Sequence, residues 1–314
     1  MPFPPVEPHT TGRLTTGDGA ELYWEESGSR DAPALVWLHG GPGTGLGRGG
    51  YRRQPDPAKW RIIGLDQRGC GRSTPLVDAP GPALDALTTP RMIADLEELR
   101  AHLGVSAWLV AGGSWGSTLA LAYAEAHPER VTALVLAAVT TTSRTEVEWI
   151  TESVGRVFPR EWERFAEAST RRPGERVIDA YDRLLRDSDP AVRAEAARAW
   201  CEWEDVHVSL TPGWAPNPDF ADPGFRARFA TQVVNVWSRS AFLGDHGILD
   251  RLDRIAHLPA VLIHGRLDVS GPLAPAWELH GRLPLSRLVV VEDEGHGGPT
   301  MGDEIGRAYA SFGS

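Results

Sequence analysis

Apolar residues in this chain gather in short unbroken runs, and glycines or charged residues end each run. Ala34-Leu35-Val36-Trp37-Leu38, Arg61-Ile62-Ile63-Gly64-Leu65, Ala107-Trp108-Leu109-Val110-Ala111, Val131 to Val139, Ala260-Val261-Leu262-Ile263-His264 and Leu288-Val289-Val290-Val291 are of this kind. Such runs predict strands buried on both faces of a parallel sheet. Between them the period changes. Met92, Ile93, Leu96, Leu99 and Leu103 recur at helical spacing from Pro90 to Leu103, and Gly104 stops that helix. Ser117 to Ala126 reads as a helix ended by His127-Pro128, and about Asp303 to Phe312 as a last one. Residues 1–33 read as an exposed arm and a hairpin, with Leu14-Thr15-Thr16 and Ala20 to Glu25 alternating around Gly17-Asp18-Gly19.

Strand and helix in alternation predict an α/β fold: a mostly parallel central sheet with helices on both faces. The rhythm breaks at about Thr140. From there to about Gly244 the chain reads as helical, tryptophan-rich and without parallel strands, and Pro212, Pro216, Pro218 and Pro223 mark a loop inside it. We therefore expect residues 1–139 and 245–314 to form the core and 140–244 an inserted helical cap. The cap should cover the carboxyl edge of the sheet, where ligands bind in such folds.

Composition narrows the partners. With 314 residues the chain is long for one simple domain and short for two. A net charge of −10 argues against nucleic acid or an anionic membrane surface. Lys59 is the only lysine, which we read as coding bias. Cys70 and Cys201 are far apart, giving neither metal spacing nor a disulfide framework. That suits a reducing compartment, and with no membrane span or leader pattern a cytoplasmic protein acting on small molecules is the expectation. Oligomeric state is open.

One stretch carries a chemical signature. Gly112-Gly113-Ser114-Trp115-Gly116 has the Gly-x-Ser-x-Gly pattern of a nucleophile elbow, with a strand-like run before it and a helix-like run after it. A serine on such a turn has its hydroxyl clear of the backbone. The helix starting behind it turns free N–H groups toward any negative charge that develops there.

A serine needs a base, and the base needs an orienting acid. His296 lies in a Gly-His-Gly-Gly loop past one buried strand, and Asp268 just past another. Glu292 and Asp293 are alternatives to Asp268, but stand close to His296 in sequence. His264 reads as a structural hydrogen-bonder, His39 as a brace for its glycine loop, and His246 and His280 as surface or helix residues. The oxyanion hole falls to the backbone N–H of Trp115 and one from Gly40-Gly41-Pro42-Gly43, with Gly41 favoured. The continuation Thr44-Gly45-Leu46-Gly47 has no Gly-Lys-Ser/Thr ending, so a phosphate loop is a weak reading. In the cap, Trp200, Trp203 and Glu204 share a helical face. They form either core tryptophans beside a solvated acid or a carboxylate seat for a cationic amine.

Taken together these motifs resemble the proline iminopeptidases, serine peptidases of the α/β-hydrolase fold. The resemblance rests on His39-Gly40-Gly41-Pro42-Gly43, Asp66-Gln67-Arg68-Gly69-Cys70-Gly71-Arg72-Ser73, Gly112 to Leu121, Trp200-x-x-Trp203-Glu204, His264-Gly265-Arg266-x-Asp268 and Gly295-His296, and spans nearly the whole chain. It implies a Ser114–Asp268–His296 triad, an oxyanion hole of Gly41 and Trp115, and no cofactor and no metal. It also implies removal of an N-terminal residue, usually proline, whose α-amine goes to Glu204; we expect Trp203 and Gly40 to touch substrate as well. Four pocket positions depart from the family pattern. A cap stretch that usually carries a second acid reads Gln232-Val233-Val234-Asn235-Val236-Trp237 here, and Ala137, Gly271 and Leu267 stand where arginine, cysteine and tyrosine are usual. Truncating one partner of a buried charge contact costs ~2–5 kcal/mol, or one to three decades. The triad thus carries over, and a strict proline preference does not.

The leading expectation is a serine aminopeptidase working through an acyl-enzyme. One alternative keeps the triad but hydrolyses or transfers the acyl group of an ester, a non-peptide amide or an N-blocked small molecule in a biosynthetic pathway. A second keeps the fold only, as a binding protein without turnover.

Overall fold

The structure is a computed structural model that describes residues 2–244 and 247–313, so His246 lies outside the described residues. Eight strands form one sheet: β1 (Thr10–Thr15), β2 (Glu21–Gly28), β3 (Ala34–Leu38), β4 (Arg61–Leu65), β5 (Trp108–Gly113), β6 (Val131–Ala137), β7 (Ala260–Gly265) and β8 (Ser286–Val291). Their order is β1-β2-β4-β3-β5-β6-β7-β8. β2 pairs antiparallel with both β1 and β4, and every pairing from β4 to β8 is parallel. The helices are α1 (Pro82–Asp85), α2 (Thr89–His102), α3 (Trp115–Ala126), α4 (Arg144–Thr151), α5 (Pro159–Ala168), α6 (Val177–Leu185), α7 (Pro190–His207), α8 (Pro223–Trp237), α9 (Ala274–Arg282) and α10 (Pro299–Phe312).

The parallel strands are apolar throughout because each is covered twice. β5 turns Trp108 and Val110 to one face, where Leu99 of α2, Leu119 of α3 and Leu279 of α9 pack. Leu109 and Ala111 go to the other, against Met301, Ile305 and Tyr309 of α10. From β3 the chain moves outward to β4, then returns to place β5 on the other side of β3. That reversal opens a crevice beyond the carboxyl ends of β3 and β5, where such sheets take ligands.

Between β6 and β7 the chain leaves the sheet. α4 to α8 gather around a second apolar core that includes Phe165, Tyr181, Trp200, Trp203 and Val233. The Phe165 ring stacks between Tyr181 at 4.7 Å and Trp203 at 4.9 Å. The indole of Trp149 ties this layer to the sheet by donating to Val269 O at 2.8 Å.

The structure differs from the sequence reading in three places. The hairpin is longer, and β2 is largely buried because β4 covers its second edge. α9 fills a segment with no expected element. α10 begins at Pro299, four residues early, because the buried Glu294 carboxylate takes the N–H groups of Thr300 and Met301 at 2.7 Å each.

Candidate active site

β5 ends at Gly113, and Ser114 turns the chain into α3 with φ 55° and ψ −126°. A non-glycine residue there carries strain of ~1–3 kcal/mol, which its surroundings must hold. They do so by hydrogen bonds: Ser114 N–H donates to Ala137 O at 3.0 Å, and Ser117 N–H to Ser114 O at 2.8 Å. The flanking glycines are obligatory. A Cβ at Gly112 would lie 2.2 Å from Gly116 O, and one at Gly116 would lie 2.0 Å from Leu38 O. Helix and strand cross too closely for a methyl group.

Asp268 and His296 come together beside this turn. His296 Nδ1 lies 2.8 Å from Asp268 Oδ2, and Gly271 N–H fixes the other oxygen of Asp268 at 3.0 Å. Burial alone would lower the imidazole pKa, but the charge and hydrogen bond of Asp268, helped by the charge of Glu204, raise it above the ordinary histidine value. Burial would raise the carboxyl of Asp268, yet His296 and His264 bring it below the usual carboxylate range. Glu292 is engaged by Arg266 at the surface, and Asp293 is exposed, so neither takes the place of Asp268. Ser114 and His296 line one cavity of about 490 Å³. Among the described residues no hydrogen bond joins them, as is common before substrate tightens such a site.

The glycine loop after β3 lies against Ser114. A Cβ on Gly40 would come 3.3 Å from Ser114 Cβ, so the loop backbone packs tightly against Ser114. The Gly41 N–H donates to no acceptor among the described residues. The Trp115 N–H opens α3, where the helix offers it no partner. One buried side chain braces both halves. Gln67 accepts from the Trp115 indole at 2.9 Å, and its amide donates to His39 O at 2.9 Å. His39 receives the Gln67 N–H on Nε2 at 3.1 Å. Asp66 takes the Leu46 N–H at 2.7 Å, so the Thr44–Gly47 stretch spends a donor on a carboxylate rather than offering it to a phosphate. His264 accepts from Val139 N–H at 3.0 Å and sits 2.7 Å from Gly271 O, which shapes the turn carrying Asp268. His280 pairs with Ser286 away from the cavity.

The helical segment between β6 and β7 supplies the opposite wall through Glu146, Val147, Glu204, Asp205, Phe220 and Phe229. Glu204 Oε1 accepts from the Trp200 indole at 2.9 Å. Trp203 corrects the sequence reading: it does not line the cavity. Its ring is buried among Phe158 and Phe165 and its indole donates to Ile150 O at 3.1 Å, so it backs the wall instead of meeting substrate. Gln232 lies outside the cavity lining and donates to Gly69 O at 2.7 Å. Sequence reasoning also missed Gln67, Glu146 and Glu294. Gln67 stood inside a quoted motif; for the others only the folded chain shows the role.

The comparisons with known proteins agree with this architecture. Residues 33–299 match the family described as alpha/beta hydrolase fold. The chain is similar to a probable proline iminopeptidase of Streptomyces coelicolor, 45% identical over 307 residues that cover 96% of this chain and 94% of that one. It is also similar to a proline iminopeptidase of Arabidopsis thaliana, 39% identical over 94% of this chain and 77% of that one. Among solved structures, a proline iminopeptidase of Mycobacterium smegmatis aligns with TM-score 0.67 at 21% identity, covering 97% of this chain and 99% of that one, a likeness of fold. With relatives this close along nearly its whole length, the resemblance read from the motifs holds, and the chain belongs to the proline iminopeptidase family of alpha/beta-hydrolase enzymes.

Proposed function

We propose that this protein is a serine aminopeptidase that releases an N-terminal residue, proline or another small one, from short peptides or aminoacyl amides. Ser114 Oγ attacks the scissile carbonyl while His296 Nε2 takes its proton. Asp268 holds the ring and stabilises the imidazolium. The N–H groups of Trp115 and Gly41 receive the oxyanion; losing one such donor costs ~3–4 kcal/mol. His296 passes the proton to the leaving amine, and water then hydrolyses the acyl-enzyme by the same route. Gly40 flanks the reacting carbonyl, and Glu204 receives the free α-ammonium. The 140–244 segment acts as the cap that selects what enters.

One observation carries the substrate class. The cavity that holds Ser114 and His296 is lined by three carboxylates, Glu146, Glu204 and Asp205, and by no lysine or arginine among the described residues. Such a wall favours a cationic amine and opposes an anionic or N-blocked end. The relatives named for proline iminopeptidase activity support the same substrate class over an ester or acyl-transfer reaction. Two unpaired buried cysteines suit the cytoplasm. No helix among the described residues is long and apolar enough to cross a membrane.

The test is a panel of prolyl and alanyl arylamides, their N-acyl counterparts and a p-nitrophenyl ester. Free-amine arylamides should be cleaved best, with all turnover lost after fluorophosphonate treatment. Turnover confined to the ester or the N-acyl compounds would overturn the peptidase reading.

A further inference from the structure

Part of the cavity has no role in the reading above. Away from the acids of α4 and α7 it runs beside the sheet, where Trp37 of β3, Ala137 of β6 and Met301, Gly302 and Ile305 of α10 line it together with Gln54. Trp37, Ala137, Met301 and Ile305 belong to the apolar core on the α10 face of the sheet. A Cβ on Gly113 would lie 3.4 Å from the Trp37 ring, so this slot begins next to the residue before Ser114. None of its six side chains is ionisable, in contrast to the carboxylates of the other wall.

Small residues make the room. Ala137 puts only a methyl group at the end of β6. Gly302 leaves α10 bare opposite Gln54, although glycine weakens a helix interior. Neither packing nor backbone asks for it there: a Cβ on Gly302 would meet the Gln54 amide at 3.5 Å, an ordinary contact, and its φ is not in the left-handed region. Gln54 closes the far end. Behind it a second cavity of about 170 Å³ opens between Gly306 and the N-terminal arm at Pro2 and Phe3, and Gln54 and Gly302 line both cavities. The arm is pinned at that place. Phe3 N–H donates to Arg53 O at 2.7 Å, and Arg53 Nε donates to Phe3 O at 3.0 Å.

A peptide whose amine lies among the carboxylates has only its leaving part to send elsewhere. His296 returns the proton to the leaving nitrogen, so that part lies on the histidine side. The chain that follows His296 is what lines the slot, through Met301, Gly302 and Ile305. A cavity of about 490 Å³ encloses a drug-sized ligand, which is more than one small residue.

We propose that this slot is the leaving-group subsite and that it takes an apolar side chain, aliphatic or aromatic, from the second residue of the peptide. This rests on the peptidase reading above.

The test uses prolyl dipeptide amides with glycine, leucine, phenylalanine or aspartate second, and prolinamide as the substrate with no second residue. In the wild type, kcat/KM should rise about 10- to 100-fold from glycine to leucine or phenylalanine, with aspartate lowest. Gly302→Leu suits the helix and fills the slot. It should remove most of that rise and leave prolinamide within about twofold. Gln54→Ala deepens the slot and should shift the preference toward tryptophan. Equal kcat/KM across the four dipeptide amides in the wild type would overturn the proposal. So would a Gly302→Leu loss as large on prolinamide, which would make the change structural. A Gly302→Leu loss that follows the first residue, larger on leucyl than on alanyl arylamide, would assign the slot to the acyl side and overturn it too. Wild-type enzyme that cleaves an ester and none of these amides would retire the peptidase reading itself. Cleavage of all the amides at one rate would leave that reading standing and remove only the subsite.

Discussion

Ser114 stands where two glycines let a helix cross a strand, and hydrogen bonds with Ala137 and Ser117 hold its backbone in place. Glu204 stands on α7 in the cap, and its place depends on tryptophan and phenylalanine rings packed behind it. At the sheet edge, hydrogen bonds from the Gln67 side chain hold the glycine loop and the start of α3, and the Gly271 N–H holds Asp268. Between β6 and β7, by contrast, Glu204 rests on one packed aromatic cluster. The difference teaches a division of labour. Changes at the edge should appear in kcat, and changes in the cap should appear in KM and in the choice of substrate.

The largest effect expected is from Ser114→Ala, with about a million-fold loss of kcat. The melting temperature should stay close to wild type, because alanine keeps the shape of the turn. Ser114→Gly should be equally inactive yet melt a few degrees higher, since glycine accepts a φ of 55° without strain. A large drop in melting temperature for either would contradict a turn held without the Ser114 hydroxyl.

Asp268→Asn comes next, at about ten-thousand-fold in kcat. It should also move the pH profile. His296 must be neutral to act as base, so kcat/KM falls as pH drops through its pKa, which stands above the ordinary ~6.5. Removing the Asp268 charge lowers that pKa, and the acid limb should shift to lower pH. A limb that stays in place would mean another group controls it.

Glu204→Gln sharpens the cap side of the comparison. KM for free-amine arylamides should rise about tenfold or more, and KM for N-acylated substrates should barely change. Equal effects on both would make Glu204 a packing residue and erase the distinction drawn here.

The smallest effect lies far from the site. Glu125 is 1% exposed, neither of its oxygens makes a hydrogen bond, and Arg251 is 3.5 Å away. Burial pushes its pKa up to about 8. The unfolded chain ionises this group near ~4.3, so the native state loses stability as pH climbs from there to about 8, and no more above it. Glu125→Gln should therefore raise Tm by a few degrees at pH 9 and leave it unchanged at pH 5, with kcat/KM unaltered. A Tm gain of equal size at both pH values would show that its charge is not the cause.

The sheet edge was far more legible in the sequence than the cap. Strands buried on both faces announce themselves as apolar runs, and a nucleophile elbow needs residues of fixed type at fixed spacing, so Ser114, Gly41 and the loops after β7 and β8 could be placed before the fold was seen. α9 and the early start of α10 were not legible. The Glu294 cap that starts α10 is a contact made from a strand-end loop, with no helical period to betray it. In the cap, Trp203 and Glu204 are neighbours on one helix, and spacing put both on a shared face. Burial separated them: one meets aromatic rings, the other the cavity.

The tight crossing at Gly112 and Gly116 has a consequence for descent. With carbonyl oxygens about 2 Å from where a first side-chain carbon would go, those two sites are closed to almost every substitution. The residues of α7 and α8 that overhang the crevice meet no such barrier. A lineage built on this scaffold can change its diet while its chemistry stays frozen.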